Sequence, residues 1–113
     1  MLSADAERFR GALVAAAAWA ALERDAAIFL QLDAVVLLRR GEAPRDAAHR
    51  EAGLPVLEAL LEDALELGVR IEACQTGLAL HEIDTSSLDP RISVSGPVAF
   101  LRHAPAGASI SFV

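Results

Sequence analysis

Short apolar runs alternate with helical segments along this chain, and that alternation constrains the fold more than any other feature. Four runs are typical of strands: residues 26–32, 69–73, 92–94 and 108–113. Helical patterns separate them at residues 4–24, 34–39, 55–67, 75–81 and 97–103. Because strands that alternate with helices form parallel sheets covered on both faces, the sequence predicts an α/β domain with a mainly parallel sheet.

The first helix is apolar around an unusually wide arc. Phe9 and Leu13 mark one stripe at helical spacing, and Trp19 and Leu22 mark a second stripe beside it. Ser3 is a good N-cap residue for this helix. Because 54% of the residues are apolar, the second stripe is expected to need cover from another subunit. Trp19 is then expected to be more than half buried only in an assembly.

Charge and cysteine usage exclude several classes of protein. The net charge is −6, and the ten basic residues, all arginines, are spread among acidic residues, so nucleic acid is not an expected partner. A single cysteine excludes an internal disulfide and indicates a cytoplasmic protein, and no histidine pair has the spacing of metal ligands. The apolar stretch 11–22 is too short to span a bilayer.

Cys74, the single cysteine, falls where the strand 69–73 ends and the helix 75–81 begins. Parallel sheets present their chemistry at the carboxyl ends of strands, and a helix start favours the thiolate. Gln75, Thr76 and Gly77 are therefore predicted binding residues, and the backbone N–H groups of Thr76 and Gly77 are expected to stabilise a negative sulfur. Cysteine is also a common inert core residue, so both interpretations of Cys74 stay open.

Three other polar residues lie near this position in the predicted topology. Gln31 and Asp33 fall at the carboxyl end of the predicted strand 26–32, on the side expected for Cys74, where they could line a shared pocket. The simpler interpretation, which we favour, is that Asp33 is the N-cap of the helix 34–39. His81 lies about two helical turns beyond Cys74, so a capping or surface role is favoured over a Cys–His pair.

Four segments resemble the DsrE/DsrF-like family, which includes the Tus sulfur-relay subunits. They are the helix start at residues 3–8, the strand-to-helix segment 29–35, the strand–Cys–helix segment 68–84, and Ser95-Gly96 with the helix and strand that follow. The resemblance covers nearly the whole chain. It implies a three-layer α/β/α sandwich with a five-stranded, mainly parallel sheet, and trimers or hexamers. The length of 113 residues indicates one domain over residues 1–113, and no motif in the chain indicates a cofactor. The resemblance also implies a first strand, for which only Met1 and Leu2 precede Ser3, so that strand is expected to be very short or to start upstream.

Two functional hypotheses follow from these features. In the sulfur-relay members that the chain resembles, a cysteine matching Cys74 accepts sulfur as a persulfide and passes it to a partner protein. The first hypothesis is therefore a cytoplasmic sulfur carrier that acts through Cys74 between a donor and an acceptor protein. The alternative is a non-enzymatic oligomeric module that binds a small ligand or a protein and in which Cys74 is inert.

Overall fold

A four-stranded parallel sheet organises the part of the chain that the computed structural model describes, residues 5–113. The strands are β1 Ala26–Leu30, β2 Arg70–Cys74, β3 Ser93–Ser95 and β4 Ser109–Phe112. Their order across the sheet is β3-β2-β1-β4, and every neighbouring pair is parallel. The predicted α/β fold with a parallel sheet is confirmed. A fifth strand was predicted at Met1 and Leu2, which lie outside the described residues.

Helices fill the connections, close to the predicted positions. They are α1 Ala6–Ala21, α2 Asp46–Glu51, α3 Leu57–Glu66, α4 Gln75–Leu80 and α5 Pro97–His103. A 3-10 helix, Leu32–Leu38, follows β1, and a 3-10 turn, Thr85–Ser87, precedes β3. The carboxylate of Asp5 caps α1 by accepting the N–H of Arg8 at 2.9 Å, and Ser3, where the N-cap was predicted, lies outside the described residues. Among residues 5–113, no helix has the length and apolar character needed to cross a membrane.

The core surrounds β1, whose five residues are all buried. Phe29 on β1 contacts Phe100 of α5, with ring centroids 5.1 Å apart, and Phe112 of β4 at 5.7 Å. The helix α1 packs against β1 and α3. Trp19 is already mostly buried against this core, with the guanidinium of Arg24 5.0 Å from its ring centroid. The prediction that Trp19 becomes more than half buried only in an assembly is therefore wrong.

A buried ion pair fixes the polar segment between the 3-10 helix and α3. The Asp46 carboxylate accepts from the Arg10 guanidinium at 2.9 Å and from the backbone N–H groups of Ala43 and Leu57 at 2.7 and 3.0 Å. Burial alone would raise the pKa of Asp46, but these donors outweigh it and hold the pKa below its usual value. The pair thereby ties α1 to α2 and to the start of α3.

Candidate functional site

Cys74 is both the last residue of β2 and the N-cap of α4. Its backbone is still extended, and its sulfur accepts the backbone N–H of Gly77 at 3.4 Å. The side chain is 6% exposed, so the thiol lies just beneath the surface at the carboxyl edge of the sheet. The predicted position at a strand end before a helix is confirmed.

Peptide N–H groups lower the pKa of the Cys74 thiol despite its burial. Burial alone would raise the pKa of the Cys74 thiol, because desolvation disfavours the thiolate. The backbone N–H groups of Leu32, Gly77 and Thr76, together with the Thr76 hydroxyl, outweigh burial and hold the pKa below its usual value. The donors are peptide groups and a hydroxyl, so the site favours a negative sulfur without using a cationic side chain.

Leu32 brings the neighbouring segment into contact with α4. It opens the 3-10 helix with φ of +48°, in the left-handed region that non-glycine residues seldom occupy. Its backbone packs so closely on Gly77 that a Cβ there would lie 3.0 Å from both the carbonyl carbon and the Cα of Leu32, and nearer still to the oxygen. Only glycine fits at position 77 without displacing this backbone.

Asp33 and His81 form a second contact between the same two segments. The His81 Nε2 and the Asp33 Oδ1 are 2.7 Å apart, and both side chains are a little more than a quarter exposed. The N-cap role favoured for Asp33 is wrong, because Asp33 lies inside the first turn and Gln31 occupies the cap position without a side-chain bond. His81 does cap the carboxyl end of α4, as predicted, and its imidazole turns to Asp33.

The remaining predicted binding residues lie on the surface around the thiol. Gln31 and Gln75 are both exposed, and the backbone N–H of Gln31 donates to the carbonyl of Val113 at 3.0 Å. Thr76 is exposed, and its N–H and hydroxyl lower the pKa of the Cys74 thiol. The structure therefore brings the N–H of Gly77 to the sulfur of Cys74, places Thr76 in the same first turn of α4, and leaves Gln31 and Gln75 at the surface.

Sequence reasoning missed a buried carboxylate on β2. Glu72 is 3% exposed and lies on the same sheet face as Cys74, because side chains alternate along a strand. It accepts the hydroxyl of Ser95, the strand residue opposite Cys74, at 2.5 Å and lies 3.8 Å from the Arg70 guanidinium. A glutamate inside the apolar run 69–73 was the available signal. Within residues 5–113, no group of three His, Cys, Asp or Glu side chains could hold a metal ion.

Comparison with known proteins agrees with this architecture. No curated protein sequence matches the chain significantly. The sequence model of the DsrE/DsrF-like family does match, and the match extends over residues 2–112 of 113. It includes the strand–Cys–helix segment and all four strands that the structure describes. The chain belongs to the DsrE/DsrF-like family.

Proposed function

We propose that this protein carries sulfane sulfur on Cys74 and passes it between partner proteins. The observation that carries the proposal is the position of the Cys74 sulfur at the N-cap of α4, where it accepts the Gly77 N–H at 3.4 Å and where peptide N–H groups lower the pKa of the thiol despite burial. The thiolate is the nucleophilic form of cysteine. Membership of a family that is broadly associated with sulfur relay supports the same chemistry.

The transfer needs no oxidant and no second cysteine in this chain. The Cys74 thiolate attacks the outer sulfur of a donor persulfide, so a new S–S bond forms on Cys74 while the donor's S–S bond breaks. The donor leaves as a thiolate, and the persulfide proton travels with the transferred sulfur. An acceptor thiolate then attacks the outer sulfur and releases Cys74. Because Cys74 is the single cysteine, that acceptor must belong to another molecule.

The assembly is part of the same proposal. We expect a cytoplasmic homo-oligomer, a trimer or hexamer, with a three-layer sandwich and a fifth strand in its complete fold. Apolar side chains exposed on α5 support this expectation: Val98 is 68% exposed and Leu101 is 51% exposed. Apolar side chains at that exposure favour cover by a second subunit.

The alternative is an oligomeric binding module with an inert Cys74, and two observations favour it. Cys74 is 6% exposed, which limits access to the thiol. An open groove of about 450 Å³ also lies between α1 and the start of α3, and Cys74 is not among its lining residues. Its lining is mostly apolar, with Val14, Leu54 and Leu60, and also includes Glu7, Arg10 and His49. A groove of this size suits a small apolar ligand.

Treatment with a low-molecular-weight persulfide distinguishes the two functions. The carrier function predicts that the native protein gains the mass of one sulfur atom, that Cys74→Ser abolishes the adduct, and that a free thiol added later removes it. In the native state the thiol should also react with iodoacetamide at neutral pH. A native protein that gains no sulfur, and whose thiol reacts only after denaturation, would refute the carrier function and show that Cys74 is inert.

A further inference from the structure

The groove between α1 and the start of α3 is mostly apolar, but part of its lining is polar. Its volume of about 450 Å³ falls within the range of about 300–1,000 Å³ that is typical of small-molecule sites. The polar part of the lining consists of Glu7, Arg10 and His49. The Glu7 carboxylate lies 2.9 Å from both the Arg10 Nε and the His49 Nε2, so these three side chains form one cluster.

Arg10 is almost fully buried, yet one of its guanidinium nitrogens lacks an acceptor. The side chain is 4% exposed. Nε donates to the Glu7 carboxylate at 2.9 Å, and Nη2 donates to the Pro44 carbonyl at 2.6 Å and to the Asp46 carboxylate at 2.9 Å. Nη1 is buried and has no hydrogen-bond partner among residues 5–113. Because buried donors almost always have an acceptor, Nη1 indicates a partner supplied from outside this part of the chain.

The charges around Arg10 decide which kind of acceptor fits. A guanidinium only donates hydrogen bonds, so the partner of Nη1 must be an acceptor. The carboxylates of Glu7 and Asp46 already contact the guanidinium, and both would repel a third carboxylate. A carbonyl oxygen accepts the N–H without bringing a further negative charge. Since Arg10 lines an apolar groove, the molecule that carries this oxygen is expected to be otherwise apolar.

We propose that the groove binds a small apolar molecule with one uncharged carbonyl group, a ketone, ester or amide, whose oxygen accepts from the Arg10 Nη1. The apolar part of the ligand packs on Val14, Leu54 and Leu60. Because Nη1 is buried, the ligand reaches it by displacing lining side chains, and Val14 and Leu54 are more than half exposed and free to move. The inference goes beyond the sulfur carrier, because Cys74 does not line the groove.

Three probes with the same phenylethyl body separate this contact from simple apolar burial. Benzylacetone carries the ketone, butylbenzene is its hydrocarbon analogue, and hydrocinnamate carries a carboxylate instead. Apolar burial alone favours butylbenzene, because the ketone loses its hydration in the groove. A hydrogen bond from the charged guanidinium reverses that order, and benzylacetone should bind about tenfold more tightly than butylbenzene. Hydrocinnamate should bind more weakly than benzylacetone, because it meets the carboxylates of Glu7 and Asp46.

The experiment titrates each probe into the full chain, with the leucine and valine methyl groups labelled for NMR. We expect benzylacetone to cause saturable shifts in the methyl signals of Val14, Leu54 and Leu60, which line the groove. The methyl signals of Val98 and Leu101, which are exposed on α5, serve as the internal control and should not move. The concentration dependence of the shifts gives the dissociation constant of each probe.

Gly11→Leu tests the location without altering the Arg10 cluster. Gly11 lines the groove inside α1, and a Cβ there would meet nothing within 4 Å, so a leucine side chain has room to fill the space. Binding of benzylacetone should be lost in Gly11→Leu and retained in Gly11→Ala, the matched control that adds one methyl group. Circular dichroism confirms folding, and the three probes alone decide the question if Gly11→Leu does not fold.

The inference is overturned if butylbenzene or hydrocinnamate binds as tightly as benzylacetone, or if no probe gives saturable shifts. It is also overturned if the groove signals move with protein concentration alone, because a second copy of the chain then covers the groove. Sulfur uptake at Cys74 is measured separately and tests the proposed function. Uptake should be the same in Gly11→Leu as in the wild type, so either proposal can fail while the other stands.

Discussion

Gly77→Ala is the sharpest test of the close packing between the Leu32 backbone and Gly77, the residue that donates its N–H to Cys74. A Cβ at this position would lie 3.0 Å from the carbonyl carbon and the Cα of Leu32, where ordinary contact begins near 3.4 Å, and the carbonyl oxygen is closer still. The atoms that a Cβ would meet belong to the Leu32 backbone, which is in a left-handed conformation and cannot move away as the end of a flexible side chain could. The alanine must push the 3-10 helix away from α4.

The expected cost combines two opposing effects. Overpacking of this kind costs roughly 1–3 kcal/mol. Replacing glycine by alanine inside a helix returns about 0.5–1 kcal/mol. We therefore expect the free energy of unfolding to fall by about 1–2 kcal/mol, and for a chain of 113 residues Tm should fall by roughly 4–8 °C.

Gly11→Ala is the matched control, because Gly11 lies inside α1 and a Cβ there would meet nothing within 4 Å. That variant should raise the free energy of unfolding by about 0.5–1 kcal/mol, so the two alanines should shift Tm in opposite directions. Thermal and urea denaturation of the two variants measure the difference. If Gly77→Ala is as stable as the wild type while Gly11→Ala behaves as expected, the Leu32 backbone does not pack closely on Gly77, and the contact described between the 3-10 helix and α4 is wrong.

Three further changes test the core and its buried charges. Phe100→Ala removes a fully buried ring between two aromatic neighbours and should lower the free energy of unfolding by about 3–5 kcal/mol in urea titrations. Asp46→Ala removes the buried carboxylate that pairs with Arg10 and accepts the N–H groups of Ala43 and Leu57, and should cost roughly 3–5 kcal/mol although Arg10 keeps its bond to Glu7. Glu42→Ala, at an exposed pair, should cost less than about 1 kcal/mol, and equal losses would contradict this assignment. The pKa of Asp46 is lowered, and Arg91 lowers the pKa of Asp89 to about 2. The free energy of unfolding should therefore be highest above pH 4 and should fall as these carboxylates are protonated toward pH 2. A urea midpoint that is unchanged between pH 4 and pH 2 would refute this pH dependence.

The fold could be predicted because its determinants are local. A run such as residues 26–30 is apolar without interruption, which marks a strand buried on both faces, and the helix after Cys74 begins where the predicted strand ends. The position of Cys74 at a strand end therefore followed from the pattern of neighbouring residues. So did the contributions of Thr76 and Gly77, because an N-cap residue always faces the N–H groups that follow it.

The rest of the site could not be predicted because it depends on contacts between distant residues. Nothing near Asp33 in the sequence indicates His81, and the cap role assigned to Asp33 was the sound local interpretation. The left-handed conformation of Leu32 has no local signal, since leucine rarely adopts it. Glu72 was visible as a charge in an apolar run, but its partner Ser95 is 23 residues away and becomes a neighbour only through the sheet.

The peptide donors at the Cys74 sulfur affect how such a site can change during evolution. A site made of charged side chains is lost when one of those residues is substituted. A backbone N–H group, by contrast, is present in every residue except proline, whatever its side chain. Mutation could replace Leu32 or Gln75 with many other residues and leave the donors to the sulfur intact. Selection would then act on the positions that fix the backbone, with Gly77 first among them. Related chains could keep the chemistry of this cysteine while sharing few side chains around it.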